Sequence, residues 1–241
     1  VSVLLAAGRT TVIPVSCVEQ GRWHYGERPD FVPVEAPFAP VGLRARKMAG
    51  AAASARAGGR YRADQMAVWD EVRRVEENLA APASATGALG DAVRARRREL
   101  GAVLAAFPAP EKGQTGVVAC IGGRLVAVDG FDRAETLTKV WPRLVGGYAT
   151  DAIGRRAVAV PDRAAERFLE EVARGQATSH EGVGLGMQVI VTSGSAVATA
   201  LTWEDGVVHL AVLGRPQEGR NPEQVFPSPS ARARRWFHER S

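Results

Sequence analysis

Lysine is almost missing from this chain: of 31 basic residues only Lys47, Lys112 and Lys139 are lysines, and the other 28 are arginines. Alanine, glycine and valine are abundant as well, so the skew follows GC-rich codon usage and is no evidence for phosphate or nucleic-acid binding. A formal net charge of +5 over 241 residues is mild, which excludes a strong polyanion-attracting field. Cysteine is scarce, with Cys17 and Cys120 alone. Two thiols without Cys-x-x-Cys spacing exclude a disulfide framework and a zinc ribbon, and reduced thiols point to the cytoplasm. His24, His180, His209 and His238 show no ligand spacing. No metal site and no cofactor is therefore expected. No apolar run reaches the roughly 20 residues that cross a bilayer, so no membrane partner is expected. The aromatic and basic pattern of RNA-recognition strands is missing, as are a Gly-x-Ser-x-Gly nucleophile elbow and any tandem repeat. Specific nucleic-acid binding is not expected.

What is present is a globular, half-apolar composition with many turn-forming residues. The first residues lack the basic and apolar regions of a secretory leader. Residues 1–7 read as a strand with no preceding turn, so a missing N-terminal portion is expected. Residues 11–18 are β-branched and strand-like, giving a hairpin within residues 1–25, with Pro14 marking an edge or bulge. Prolines from Pro29 to Pro40 mark an extended segment, and residues 49–57 are ambiguous.

From Asp64 the pattern turns helical. Val68, Trp69, Val72, Val75 and Leu79 fall on one face, with Glu71, Arg74 and Asn78 opposite, and Pro82 ends the run. A second helix is expected from Ser84 or Thr86 to about Phe107, with the arginines at 94 and 96–98 on its solvated face. Residues 117–121 and 125–128 form a hairpin about Gly122-Gly123, a pair suited to positive φ. Asp132 and Glu135 resemble a capping box opening a helix that Pro142 should kink or end. Another helix spans residues 164–174, and strands follow at 187–192, 196–202 and 207–213. The fold class expected is α+β: a mixed, largely antiparallel sheet with hairpins packed against about four helices. Residues 1–213 make one domain, and residues 214–241 a Pro/Arg-rich tail.

The densest chemistry lies just after Pro14, where Cys17, Glu19, Gln20, Arg22, Trp23 and His24 follow in close order. A thiolate is a nucleophile only where a cation or base lowers its pKa. Cys17 and Glu19 are thus the catalytic candidates, and Gln20, Arg22 and Trp23 the ligand-binding ones, joined by Asp64 and Gln65 at the helix start. Each has a plainer alternative: Cys17 as a small buried hydrophobe, residues 19–22 as a structural polar network, Asp64 as an N-cap and Trp69 as core. Gly182, Gly184 and Gly186 suggest a bend or bulge rather than a phosphate loop, because no Gly-Lys-Ser/Thr follows.

The run from Thr11 through Cys17, Glu19, Gln20, Gly21, Arg22 and Trp23 resembles the ARPP domain family, named for association with ADP-ribosylglycohydrolase, rhodanese and phosphatase superfamily proteins. The Asp64-Gln65 and Val68-Trp69 helix start, the Thr86 to Ala92 block, the Phe131-Asp132 to Trp141-Pro142 helix and the Tyr148 to Ile153 block extend the resemblance. It implies a role around ADP-ribose or related nucleotides, with no reaction to carry over. It also implies an upstream region with Gly-Glu and Lys-Gln-Asn-Arg-like residues. The partner expected is a small nucleotide-derived ligand, with a homodimer as a further association. A non-catalytic interaction module is the alternative.

Overall fold

The computed structural model describes residues 2–21, 36–59, 61–82 and 84–215. Six strands form one sheet in the order β1-β2-β6-β5-β4-β3, and every neighbouring pair is antiparallel. The strands are β1 (Gly116–Ile121), β2 (Arg124–Phe131), β3 (Gln176–Glu181), β4 (Met187–Thr192), β5 (Ala196–Trp203) and β6 (Gly206–Gly214). The helices are α1 (Val41–Arg56), α2 (Gln65–Asn78), α3 (Leu89–Ala95), α4 (Arg97–Ala105), α5 (Ala134–Ala152) and α6 (Ala164–Ala173). The α+β class holds, with six helices among the described residues rather than four.

Burial explains the layering. One sheet face presents Ala127, Val197, Ala211 and Leu213 to Val41, Ala45 and Met48 of α1 and to Leu137, Leu144 and Tyr148 of α5. The other face presents Ala196, Ala198 and Val212 to Val172 of α6. β5 is therefore covered on both sides and reads as a nearly continuous apolar run, as a doubly buried strand must. Behind α1, the apolar stripe of α2 packs with Leu43, Leu89 and Ala92 into a second core.

Several expectations need correction. Among the described residues, 2–7 and 11–18 do not form a hairpin: Leu4 makes an isolated bridge with Leu185, and Glu19 one with Ala88. In the β-branched run, Val18 bonds to the Leu89 backbone and Cys17 to the Gln65 side chain, and Pro14 has no N–H to give a ladder. Of the ambiguous 49–57 stretch, residues 49–56 belong to α1 and Ala57 is its C-cap. Glu71 is not on a solvated face; it is 4% exposed and pairs with Arg74 at 2.5 Å. The single helix expected after Ser84 begins at Leu89 and breaks at Arg96, whose guanidinium donates to the carbonyls of Leu79 and Ala80 at the end of α2. That satisfies carbonyls a helix end leaves open. No capping box opens α5: Asp132 instead accepts the Thr136 hydroxyl at 3.4 Å. α5 also runs through Pro142 as one element, held on both sides of the proline by buried Leu137, Leu144 and Val145.

The glycine run lies between β3 and β4, as a bend. An added Cβ on Gly184 would come within 2.1 Å of the Leu4 carbonyl oxygen. The glycine is thus what lets the N-terminal segment lie against this loop. In the β1–β2 turn Gly122 and Gly123 take φ of 58° and 76°, the geometry their pairing implied.

Candidate functional site

Two polar assemblies stand out, and sequence reasoning reached only one of them. It begins with residues 17–21, which cross one side of α2. Val18 enters the α2 core, and its carbonyl accepts from the Leu89 N–H at 3.1 Å, while the Gly21 N–H donates to Thr86 at 2.7 Å. These backbone bonds fix the segment between α2 and the start of α3.

Gln65 then fastens it from the helix. Its Nε2 donates to the Cys17 carbonyl at 2.8 Å, and its Oε1 accepts the Cys17 N–H at 3.0 Å. One side-chain amide thereby imitates a neighbouring strand. Asp64 caps α2, accepting the Met66 and Ala67 amides. Gln20 accepts from Arg73 at 3.0 Å, and Arg73 also pairs with Asp70. The Cys17 thiol points at the Glu19 carbonyl, 3.2 Å away. The structure thus sets Cys17 against Gln65 and Gln20 against Arg73, two turns further along α2, with Glu19 in the crossing segment and Asp64 bonded to the first amides of its own helix. Arg22 and Trp23 lie outside the described residues, as do His24 and His238.

Positions 65, 69, 73 and 76 share this side of α2, since residues three or four apart are neighbours on a helix. Two atoms there were not anticipated. Trp69 Nε1 and Glu76 Oε1 are shielded from solvent and find no hydrogen-bond partner among the described residues. Burial pushes the Glu76 carboxyl up, with Asp91 and Glu77 adding to the effect and Arg73 opposing it. The helical pattern marks Trp69 as core and gives Glu76 no role; neither residue type announces an unmet bond.

The second assembly centres on Asp129, which is 0% exposed on β2. Arg44 from α1 grips it with two donors, Nη1 to Oδ2 at 3.0 Å and Nη2 to Oδ1 at 2.5 Å. The Tyr148 hydroxyl donates to it from α5. His209 on β6 places Nε2 at 3.4 Å from Oδ1, stacks on Phe131 and meets the Ser2 hydroxyl at Nδ1, 2.5 Å away. Burial pushes the Asp129 carboxyl up, but the hydrogen bond from His209 and the charge and donors of Arg44 outweigh it, bringing it down to about 2. Burial and then Asp129 drive the Tyr148 phenol far above its usual range, so it stays a donor. Three elements, α1, α5 and β6, are tied to the one carboxylate on β2. An aspartate inside the apolar run 125–131 was the available signal, because such a residue must face partners.

The profile of the ARG and rhodanese-phosphatase-superfamily-associated protein domain matches residues 1–213. The chain belongs to this family. No curated protein and no solved structure matches it. Both polar assemblies fall within the matched span of the ARPP domain, as does the fastening of residues 17–21 to α2.

Proposed function

We propose that this ARPP domain binds a small polar, nucleotide-derived ligand, related to ADP-ribose or NAD, along the side of α2 crossed by residues 17–21. The observation that carries the reading is the pair of shielded, unbonded atoms, Trp69 Nε1 and Glu76 Oε1. A buried polar group without a partner costs about 1–3 kcal/mol, and proteins leave few such groups without a reason. One is a donor and the other an acceptor. Their residues are two helical turns apart, about 10 Å along the axis, a reach that an extended nucleotide diphosphate covers. Glu76 would take a ribose hydroxyl, Trp69 a phosphate or carbonyl oxygen, and Gln20 with Arg73 the polar rim between them. Cys17 and Glu19 are the groups we assign to any chemistry on the bound ligand, with Glu19 as base. The cytoplasm is the compartment we assign.

Thermal-shift measurements on the full chain with ADP-ribose, NAD, ADP and ribose 5-phosphate test the proposal. We expect stabilisation by at least one of the first three, lost in Glu76→Gln. A folded protein that responds to none of them overturns it.

A second reading, a non-catalytic interaction module that pairs with another copy, is favoured by a different observation. Gln65, Asp64 and Gln20 already bond within the chain, as residues that only fasten a segment would. Under that reading Gln65→Ala destabilises the fold while ligands change nothing.

A further inference from the structure

We propose that two copies of this chain join edge to edge through β1, with Val118 at a two-fold axis, so that their sheets become continuous. The two edges of the sheet are unalike. β3, at one end of the strand order, reads Gln-Ala-Thr-Ser-His-Glu, and its last carbonyl, that of Glu181, accepts the Tyr61 hydroxyl at 2.5 Å. β1, at the other end, reads Gly-Val-Val-Ala-Cys-Ile, without a charge or a proline. Val118 is 46% exposed and Cys120 is exposed too. Among the described residues the core under α6 includes none from β1, so this strip of the sheet is bare. Soluble proteins blunt such edges with charge, proline or a bulge. The one irregularity here leaves Val126 of β2 without an opposite residue, so the outer line of β1 stays regular.

The backbone fixes which residues can pair. The Thr115 carbonyl accepts the Phe131 N–H of β2 at 2.8 Å, and Ile121 closes the turn opposite Arg124. Alternation along the strand then turns the N–H and C=O of Gly116, Val118 and Cys120 away from β2. In keeping with this, the Gly116 carbonyl accepts the Gln114 side-chain amide at 2.7 Å, and a carbonyl keeps a second lone pair. A two-fold axis perpendicular to the sheet sets two β1 strands antiparallel with their faces aligned. Placed at Val118, it pairs all three outward residues with one another: Val118 with the partner's Val118, and Gly116 with the partner's Cys120. Each such pair exchanges both of its hydrogen bonds.

Charge favours a second copy as the occupant. A two-fold contact sets a surface against itself, so any charge on β1 would meet its like, and β1 carries none. The β3 edge would bring its Glu181 and His180 into such a contact. A six-residue strand covers less than the roughly 800 Å² per partner of a standard interface, so the dimer exchanges with the monomer. None of this depends on which reading of the α2 face holds.

Sedimentation of the full chain over a concentration series is the test. The mass should climb from 25.6 kDa toward twice that value, and Val118→Lys, which sets two ammonium groups together at the axis, should hold it at the monomer. Cross-linking adds the register. In a Cys120→Ser background, Val118→Cys should form a disulfide-linked dimer under copper–phenanthroline oxidation, because hydrogen-bonded partners stand about 5.5 Å apart at Cα. Cys120→Ser alone gives the background from Cys17, and Ser179→Cys on β3 should not exceed it. Should Val118→Lys fail to fold, the cross-linking decides. A chain that stays monomeric up to its solubility limit, a dimer that survives Val118→Lys, or Ser179→Cys linking as readily as Val118→Cys overturns the proposal.

Discussion

The Asp129 assembly and the α2 face are both polar sites inside an apolar fold, yet they differ in one respect. Around Asp129 the partners meet: Arg44, Tyr148 and His209 converge on one carboxylate. Along α2 they do not, since Trp69 Nε1 and Glu76 Oε1 are shielded and unbonded. A completed buried network specifies a fold, whereas an incomplete one is a cost that has to be explained. On this contrast rests our proposal that the first site is architecture and the second a place where a ligand binds.

The largest effect should come from breaking the completed site. Arg44→Met leaves Asp129 buried without its main countercharge and should destabilise the chain by about 3–5 kcal/mol, measured by urea unfolding. A loss under about 1 kcal/mol would remove the distinction between the two sites. Acid tests the same site without mutation. The folded Asp129 carboxyl sits near 2, below its ordinary 3.8, so its contribution is present above about pH 4 and is lost as pH falls toward 2. About 2 kcal/mol should disappear over that range, read from urea midpoints at successive pH values.

Smaller changes sharpen the contrast. Gln65→Ala removes both bonds to Cys17 and should cost about 1–2 kcal/mol in thermal unfolding. Trp69→Phe removes a donor, and Glu76→Leu a carboxyl whose Oε1 is an acceptor, that find no partner among the described residues, so stability should stay within about 1 kcal/mol or rise. A large loss in either would mean these atoms have partners in solution. Arg73→Ala, at an exposed pair with Asp70, should change stability by under about 1 kcal/mol.

Much of the sheet was legible because its strands obey simple rules. β5 carries a doubly buried apolar run, and Gly122-Gly123 announces the β1–β2 turn. β3 was missed because Gln-Ala-Thr-Ser-His-Glu has almost no apolar signal; it is an edge strand paired only with β4. α1 was hidden behind prolines and an alanine-rich stretch whose burial comes from tertiary packing rather than from a polar opposite face. The hairpin expected in residues 1–25 failed because local strand propensity says nothing about which segment supplies the partner. The contact of Cys17 with Gln65 joins two residues that the sequence singles out. Arg44, Tyr148 and His209 were not, because they sit on three elements far apart in the chain, and it takes the packing of α1 and α5 on the sheet and the β2–β6 pairing to bring them to Asp129.

The most direct test follows the indole N–H signals of the nitrogen-15-labelled chain during addition of ADP-ribose and, separately, NAD. Trp69→Phe identifies the Trp69 signal. Trp141 serves as the internal control, because its Nε1 already donates to the Pro108 carbonyl. The account predicts that the Trp69 signal moves saturably with at least one ligand while that of Trp141 stays in place. A folded chain in which Trp69 remains fixed at saturating concentrations of both, or in which Trp141 moves as far, contradicts it.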